Sequence, residues 1–121
     1  MGERIDAFRA QRETMNERIL ATGTLQTKRF FALDGQAYEE GALGSKTREL
    51  RGLVASTVLR CNDCITHHIL QSAARGVTLP EFVEALDVAM IVGGSITIPH
   101  VRHAHAILAE INDEIGKKAT S

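Results

Sequence analysis

The sequence predicts an all-α fold, and three observations carry that prediction. Apolar residues recur at helical spacing almost throughout. No stretch of about four to eight residues alternates strictly between apolar and polar, as a half-buried strand would. Helix punctuation also falls at the right places: Gly23, Gly76 and Gly93-Gly94 follow periodic stretches, and Ser45 and Thr78 precede them. At 121 residues, 44% of them apolar, the chain suits a single domain that buries a core without disulfide staples or a structural metal.

The expected elements follow in order. A first helix covers Arg4 to Ala21, with Ile5, Phe8, Arg12, Met15 and Ile19 along one side and Gly23 just beyond its end. A second runs from about Leu25 to Tyr38, presents Phe30, Phe31 and Leu33, and is weakened by Gly35. Ser45 is the expected N-cap of a third, which carries Glu49, Leu50, Leu53, Val54, Thr57 and Val58 toward Cys61. The fourth runs from Asn62 to Arg75, with Gly76 as its C′ residue. Thr78, Pro80 and Glu81 then supply an N-cap, an N1 proline and a capping-box acid, the clearest helix start in the chain. This fifth helix reaches about Val92. A sixth starts near Pro99 and buries Val101, Ala104, Ile107, Leu108 and Ile111, and Lys117 to Ser121 reads as a frayed tail. In helix five, Phe82, Val83, Leu86, Ala89, Met90, Ile91 and Val92 cover most of the circumference. A surface helix of so small a protein should keep a polar face, so the excess points to burial between subunits.

Charge and hydropathy exclude several classes of function. Fourteen basic against fifteen acidic residues leave a formal charge of −1, and no Lys/Arg run is long enough to track a phosphate backbone, so nucleic acid is not an expected partner. The segment Met1 to Phe8 lacks the apolar stretch of a signal peptide, and Asp6 breaks a myristoylation pattern. The most apolar segment, Phe82 to Pro99, contains Glu84, Asp87 and Gly93-Gly94, which makes it a poor membrane span. The expectation is a soluble cytoplasmic protein.

In that reducing compartment, two cysteines three positions apart argue for redox chemistry or metal binding rather than a structural disulfide framework. A free thiol has a pKa of about 8.5, and the thiolate is the form that attacks peroxides and disulfides. Cys61-Asn62-Asp63-Cys64 at a helix start exposes the sulfurs to unpaired N–H groups and the positive end of the dipole, which favour the thiolate. His68 lies four residues after Cys64, one turn along the same face, within reach of proton exchange. Cys64 is therefore taken as the attacking thiol and Cys61 as its resolving partner, with the reverse assignment open.

Three other readings compete. The cysteines can be small buried apolar residues. They can also join His67 or His68 in a zinc site completed by His100, His103 or His105, although no second CxxC pair is present. A cofactor-free enzyme acting on a small acid would use the histidines as acid and base. Glu49, twelve residues before Cys61, is on its own an ordinary helix acid. His100 and His103, one turn apart, either face a shared pocket or coat the start of the last helix, and His67 and His105 read as surface residues.

Taken together, these residues resemble the carboxymuconolactone decarboxylase family, and within it the alkylhydroperoxidase AhpD-like branch. The resemblance rests on Glu49, eleven intervening residues, Cys61-Asn62-Asp63-Cys64, three more and His68, then Gly76 and Glu81-Phe82-Val83-Glu84-Ala85-Leu86 leading to Gly93-Gly94. It covers roughly Leu43 to Ile111. It implies an all-helical fold assembling as trimers or as hexamers built from them. It also implies that Cys61 and Cys64 cycle between dithiol and disulfide while Glu49 and His68 relay protons. Peroxidase members carry a histidine where this chain has Asp63, and members of the decarboxylase branch proper typically lack the CxxC. The implied activity is a thiol-dependent peroxidase or disulfide reductase without cofactor or metal. Its partners would be a hydroperoxide or disulfide substrate and an external dithiol reductant.

Overall fold

A computed structural model describes the backbone of residues 2–120 and the side chains of residues 2–112. Six α-helices follow one another: α1 (Glu3–Thr22), α2 (Leu25–Gln36), α3 (Ser45–Val58), α4 (Asn62–Ala74), α5 (Leu79–Gly93) and α6 (Ile98–Thr120), the last preceded by a 3₁₀ turn over Ser95–Thr97. No strand occurs among the described residues. The frayed tail expected over Lys117 to Ser121 is not found where the backbone is described, because α6 continues through Thr120; Ser121 lies outside the described residues.

One hydrophobic cluster unites five of the helices. It takes Ile5 from α1, Leu53 from α3, Ile65 and Ile69 from α4, Phe82 and Leu86 from α5, and Ala104, Ile107, Leu108 and Ile111 from α6, with Val77 between α4 and α5. The α6 members recur at three- and four-residue spacing, so one stripe of that helix faces the core. α3 packs most extensively against α4 and α5, which makes it the central element.

The first two helices depart from expectation. Of the α1 stripe only Ile5 is buried, and Met15 and Ile19 stay exposed. α1 is held instead at its N-terminus, where Glu110 of α6 accepts the backbone N–H groups of Arg4 (3.3 Å) and Ile5 (3.2 Å) and pairs with the Arg4 guanidinium. A side chain from another helix thus caps donors that α1 has no local residue to satisfy. α2 buries no residue, and Leu25, Phe30 and Leu33 face outward. A helical period alone does not say whether the stripe it predicts meets this chain or another surface.

The helix boundaries are mostly as the local chemistry dictates. Thr78 caps α5 in a full capping box with Glu81, and Pro80 is the second helical residue rather than the first. Gly76 is the left-handed residue (φ 84°) of a Schellman ending on α4, in which Gly76 N–H reaches Ala73 O and Val77 N–H reaches Ser72 O, both at 3.1 Å. Ser45 is not a cap: Gly44 occupies that position, and Ser45 opens the helix with its hydroxyl turned to Tyr38 O at 2.7 Å. Among the described residues no helix is long and apolar enough to cross a membrane.

Candidate active site

The CxxC segment owes its position to the way α3 ends. Arg60 N–H donates to Thr57 O and Cys61 N–H to Ser56 O, both at 3.0 Å, which is again the Schellman pattern. Here the left-handed position is filled by an arginine, Arg60 at φ 63°, where an L side chain costs about 1–2 kcal/mol relative to the right-handed region. Cys61 is therefore the last residue of one helix ending and the first of the next. It turns to extended backbone and becomes the N-cap of α4, its Sγ accepting the Cys64 N–H at 3.3 Å. Cys61 and Cys64 are joined as a disulfide with Cα atoms 5.3 Å apart. Cys64 is exposed and Cys61 half-buried.

Behind this turn, α3 and α4 bury an acid and a base against each other. Glu49 and His68 are 2% and 6% exposed, and Glu49 Oε2 lies 2.8 Å from His68 Nδ1. So deep a carboxylate needs a partner, and its other oxygen lies 3.9 Å from the Arg75 guanidinium. Arg75 is held in turn by Ser45 Oγ at 2.5 Å and Gln71 O at 3.0 Å. His68 Nε2 meets the Tyr38 hydroxyl at 3.3 Å, and the two rings lie 4.8 Å apart at a tilt of 48°. Gly52 makes room for both: a Cβ there would stand 2.7 Å from His68 Cε1 and 2.9 Å from Tyr38 Cε1.

The remaining histidines are distributed around this centre. The His67 ring lies 5.1 Å from that of His68 and is half-buried, not the surface residue expected. Burial first, and the Arg12 guanidinium second, lower it to about 4, so at neutral pH it carries no charge. His100 Nδ1 lies 2.7 Å from Asn62 Oδ1, and His103 Nε2 lies 2.7 Å from the Thr66 hydroxyl, which itself donates to Asn62 O at 3.0 Å. Burial lowers the His103 pKa. His100 and His103 thus hold the N-terminal part of α4, beside the CxxC, and among the described residues no hydrogen bond joins them to Glu49 or His68. His105 is exposed. Among the described residues no group of three or more His, Cys, Asp or Glu is placed to hold a metal ion, so the zinc ligand set is not assembled.

The sequence reading brought together Glu49, Cys61, Cys64 and His68 but overlooked three neighbours. Tyr38 gave no periodic signal, because it sits in the turn after α2. Arg60 resembles no left-handed residue in sequence. Gly52 did carry one: glycine inside a helix costs about 1 kcal/mol against alanine, which signals a packing reason.

A buried Glu49–His68 pair thus stands behind a helix-capping CxxC in an all-helical bundle. The carboxymuconolactone decarboxylase family model matches residues 26–107, and the chain belongs to that family. Two crystal structures of a Thermotoga maritima member are similar to it. One superposes with a TM-score of 0.90 at 50% identity, covering 92% of this chain and 97% of that one. The other gives 0.87 at 49% identity, covering 95% and 97%, and a role in an antioxidative response has been suggested for that protein. A family member from Legionella pneumophila shares the fold at 22% identity and a TM-score of 0.83, over 90% of this chain and 97% of its own. "Uncharacterized protein 4 in cox locus" of Paracoccus denitrificans is 30% identical over 83 residues, 69% of this chain and 75% of that protein.

Proposed function

We propose that this chain is a thiol-dependent peroxidase or disulfide reductase, the reading that fits a family member one of whose relatives has a suggested antioxidative role. The observation that carries it is a CxxC pair at a helix start with one sulfur exposed, backed by a buried Glu49–His68 pair on the same helix interface. In the reduced protein, the Cys64 thiolate attacks one oxygen of a hydroperoxide. The O–O bond breaks, the alkoxide takes a proton and leaves as alcohol, and Cys64 becomes a sulfenic acid. The Cys61 thiolate then displaces hydroxide from that sulfur, which leaves as water, and the disulfide closes. Two thiols and one hydroperoxide give one disulfide, one alcohol and one water.

The positions of the two sulfurs support this division of labour. Exposed Cys64 is the one an incoming peroxide or reductant can reach. When an external dithiol attacks Cys64 Sγ, the departing sulfur is Cys61, whose thiolate receives the Cys64 N–H and the α4 dipole. A stabilised thiolate is the better leaving group. Glu49 and His68 serve as the proton relay and no cofactor is required. The partners are a hydroperoxide or disulfide, a cytoplasmic dithiol reductant and further copies of this chain as a trimer or hexamer.

The test is turnover of tert-butyl hydroperoxide with dithiothreitol, together with mass-spectrometric location of the disulfide. Cys64→Ser and Cys61→Ser are each expected to abolish turnover, with Cys64→Ser alone blocking the first oxidation. Full activity in both variants would falsify the proposal.

A further inference from the structure

Both ring nitrogens of His68 are occupied, and this limits how the relay proposed above can work. With Glu49 as a carboxylate, Nδ1 carries the proton donated across 2.8 Å. Nε2 is then the acceptor, and the Tyr38 hydroxyl at 3.3 Å donates to it. A proton entering or leaving His68 must pass through Nε2, because Nδ1 faces a buried carboxylate. Tyr38 is the group standing at that exit.

We infer that Tyr38 is a working member of the relay, its hydroxyl passing protons to and from His68 Nε2, with Cys64 one helical turn before His68 on α4. The inference rests on the peroxidase reading. When Cys64 loses its proton to solvent water, Tyr38 gives its own proton to Nε2 and takes one up from the water, leaving an imidazolium paired with Glu49. When the alkoxide leaves, the same two transfers run backward and the alcohol receives the proton. No electron passes through the phenol, so the redox balance is unchanged.

Four features hold Tyr38 to this task. Its backbone carbonyl accepts from Ser45 Oγ at 2.7 Å, and Ser45 is in turn bonded by Arg75, the residue facing Glu49. The preceding carbonyl, Ala37 O, accepts from Arg48 at 3.0 Å. Gly52 leaves the gap that lets the phenol and imidazole rings tilt together. Burial first, then the charges of Asp34 and Glu49, raise the phenol above its ordinary pKa, so it remains an O–H donor. Tyr38 also lines a cavity of about 380 Å³ that borders Gly52 and Ala55.

The chain contains one tyrosine and no tryptophan, so growth on fluorotyrosine alters position 38 alone. The rate of thiol loss to excess tert-butyl hydroperoxide is measured for the wild type, Tyr38→Phe and a mono-, di- and trifluorotyrosine series of graded acidity. Tyr38→Phe is expected to slow thiol loss about 100-fold, the lower range for general acid–base catalysis. The fluorinated proteins should change rate progressively with phenol acidity, which a purely structural tyrosine would not do. A Tyr38→Phe rate within twofold of wild type, or a flat fluorotyrosine series, overturns the inference while cysteine-dependent peroxide consumption leaves the peroxidase reading standing. A wild type whose thiols are inert to peroxide overturns both.

Discussion

The His68 ring is placed by three residues of different character. Glu49 takes one nitrogen, Tyr38 the other, and Gly52 contributes the absence of a side chain. Of the three, Gly52 is the most direct test of packing, since a methyl group there meets rings on two sides at under 3 Å. Neither ring is the free end of a flexible side chain, and both are tied by hydrogen bonds. Gly52→Ala is therefore expected to destabilise the protein by about 1–3 kcal/mol despite alanine's better helix propensity. The Glu49–His68–Tyr38 geometry should be lost with it. Urea unfolding reads the first effect, and the rate of thiol oxidation reads the second. A stabilised Gly52→Ala protein with unaltered kinetics would show that α3 and α4 separate more easily than the tight contacts imply. Glu49 was legible in sequence only through its spacing to the cysteines. Nothing local marks Tyr38, because its role depends on two segments meeting thirty residues apart.

At the scale of elements, the CxxC turn is a helix end and a helix start fused at Cys61. The two Schellman endings, at Gly76 and at Arg60, have the same hydrogen bonds but different occupants of the left-handed position. Gly76 was readable because glycine is the ordinary residue there. Arg60 was not, because the signal it lacks is the one a reader looks for. The structure accepts a strained arginine directly before Cys61. Arg60→Gly should relieve that strain and raise stability by about 1 kcal/mol, partly offset by the greater freedom of glycine in the unfolded chain. A shift in the thermal midpoint measures it, and a fall instead would mean the arginine side chain makes contacts in the assembled protein that exceed its backbone cost. On the other side of the turn, His100 and His103 hold Asn62 and Thr66, so α6 steadies the segment without joining the acid–base pair.

At the scale of the whole molecule, the distribution of apolar surface is uneven. Leu59, Val88, Ile91, Val92 and Ile96 are 77%, 53%, 86%, 67% and 57% exposed, and they gather around the end of α5 and the segments flanking it. α2 adds Leu25, Phe30 and Leu33. The proposed trimer or hexamer would cover this surface, as contiguous exposed apolar patches at interfaces are covered. Ile91→Glu discriminates. On a monomer so exposed a substitution changes stability by no more than about 0.5 kcal/mol, whereas in an assembly it places a charge in an apolar interface. The expected result is a drop in molar mass by light scattering. An unchanged mass would remove Ile91 from the interface.

The sequence by itself determined the helices and most of their ends and set Cys61, Cys64 and His68 together at one helix start, because period, capping chemistry and spacing are local properties of the chain; Glu49 joined them only through the family resemblance. The tertiary structure decided what those elements meet. Only it set α1 on Glu110, left α2 without a buried residue, brought Tyr38 to His68 and turned His100 and His103 toward Asn62. The physical reason is that a helix's period specifies which face is apolar or polar but not which surface lies opposite. Hydrogen-bond partners distant in sequence are chosen by packing, and packing belongs to the folded chain as a whole.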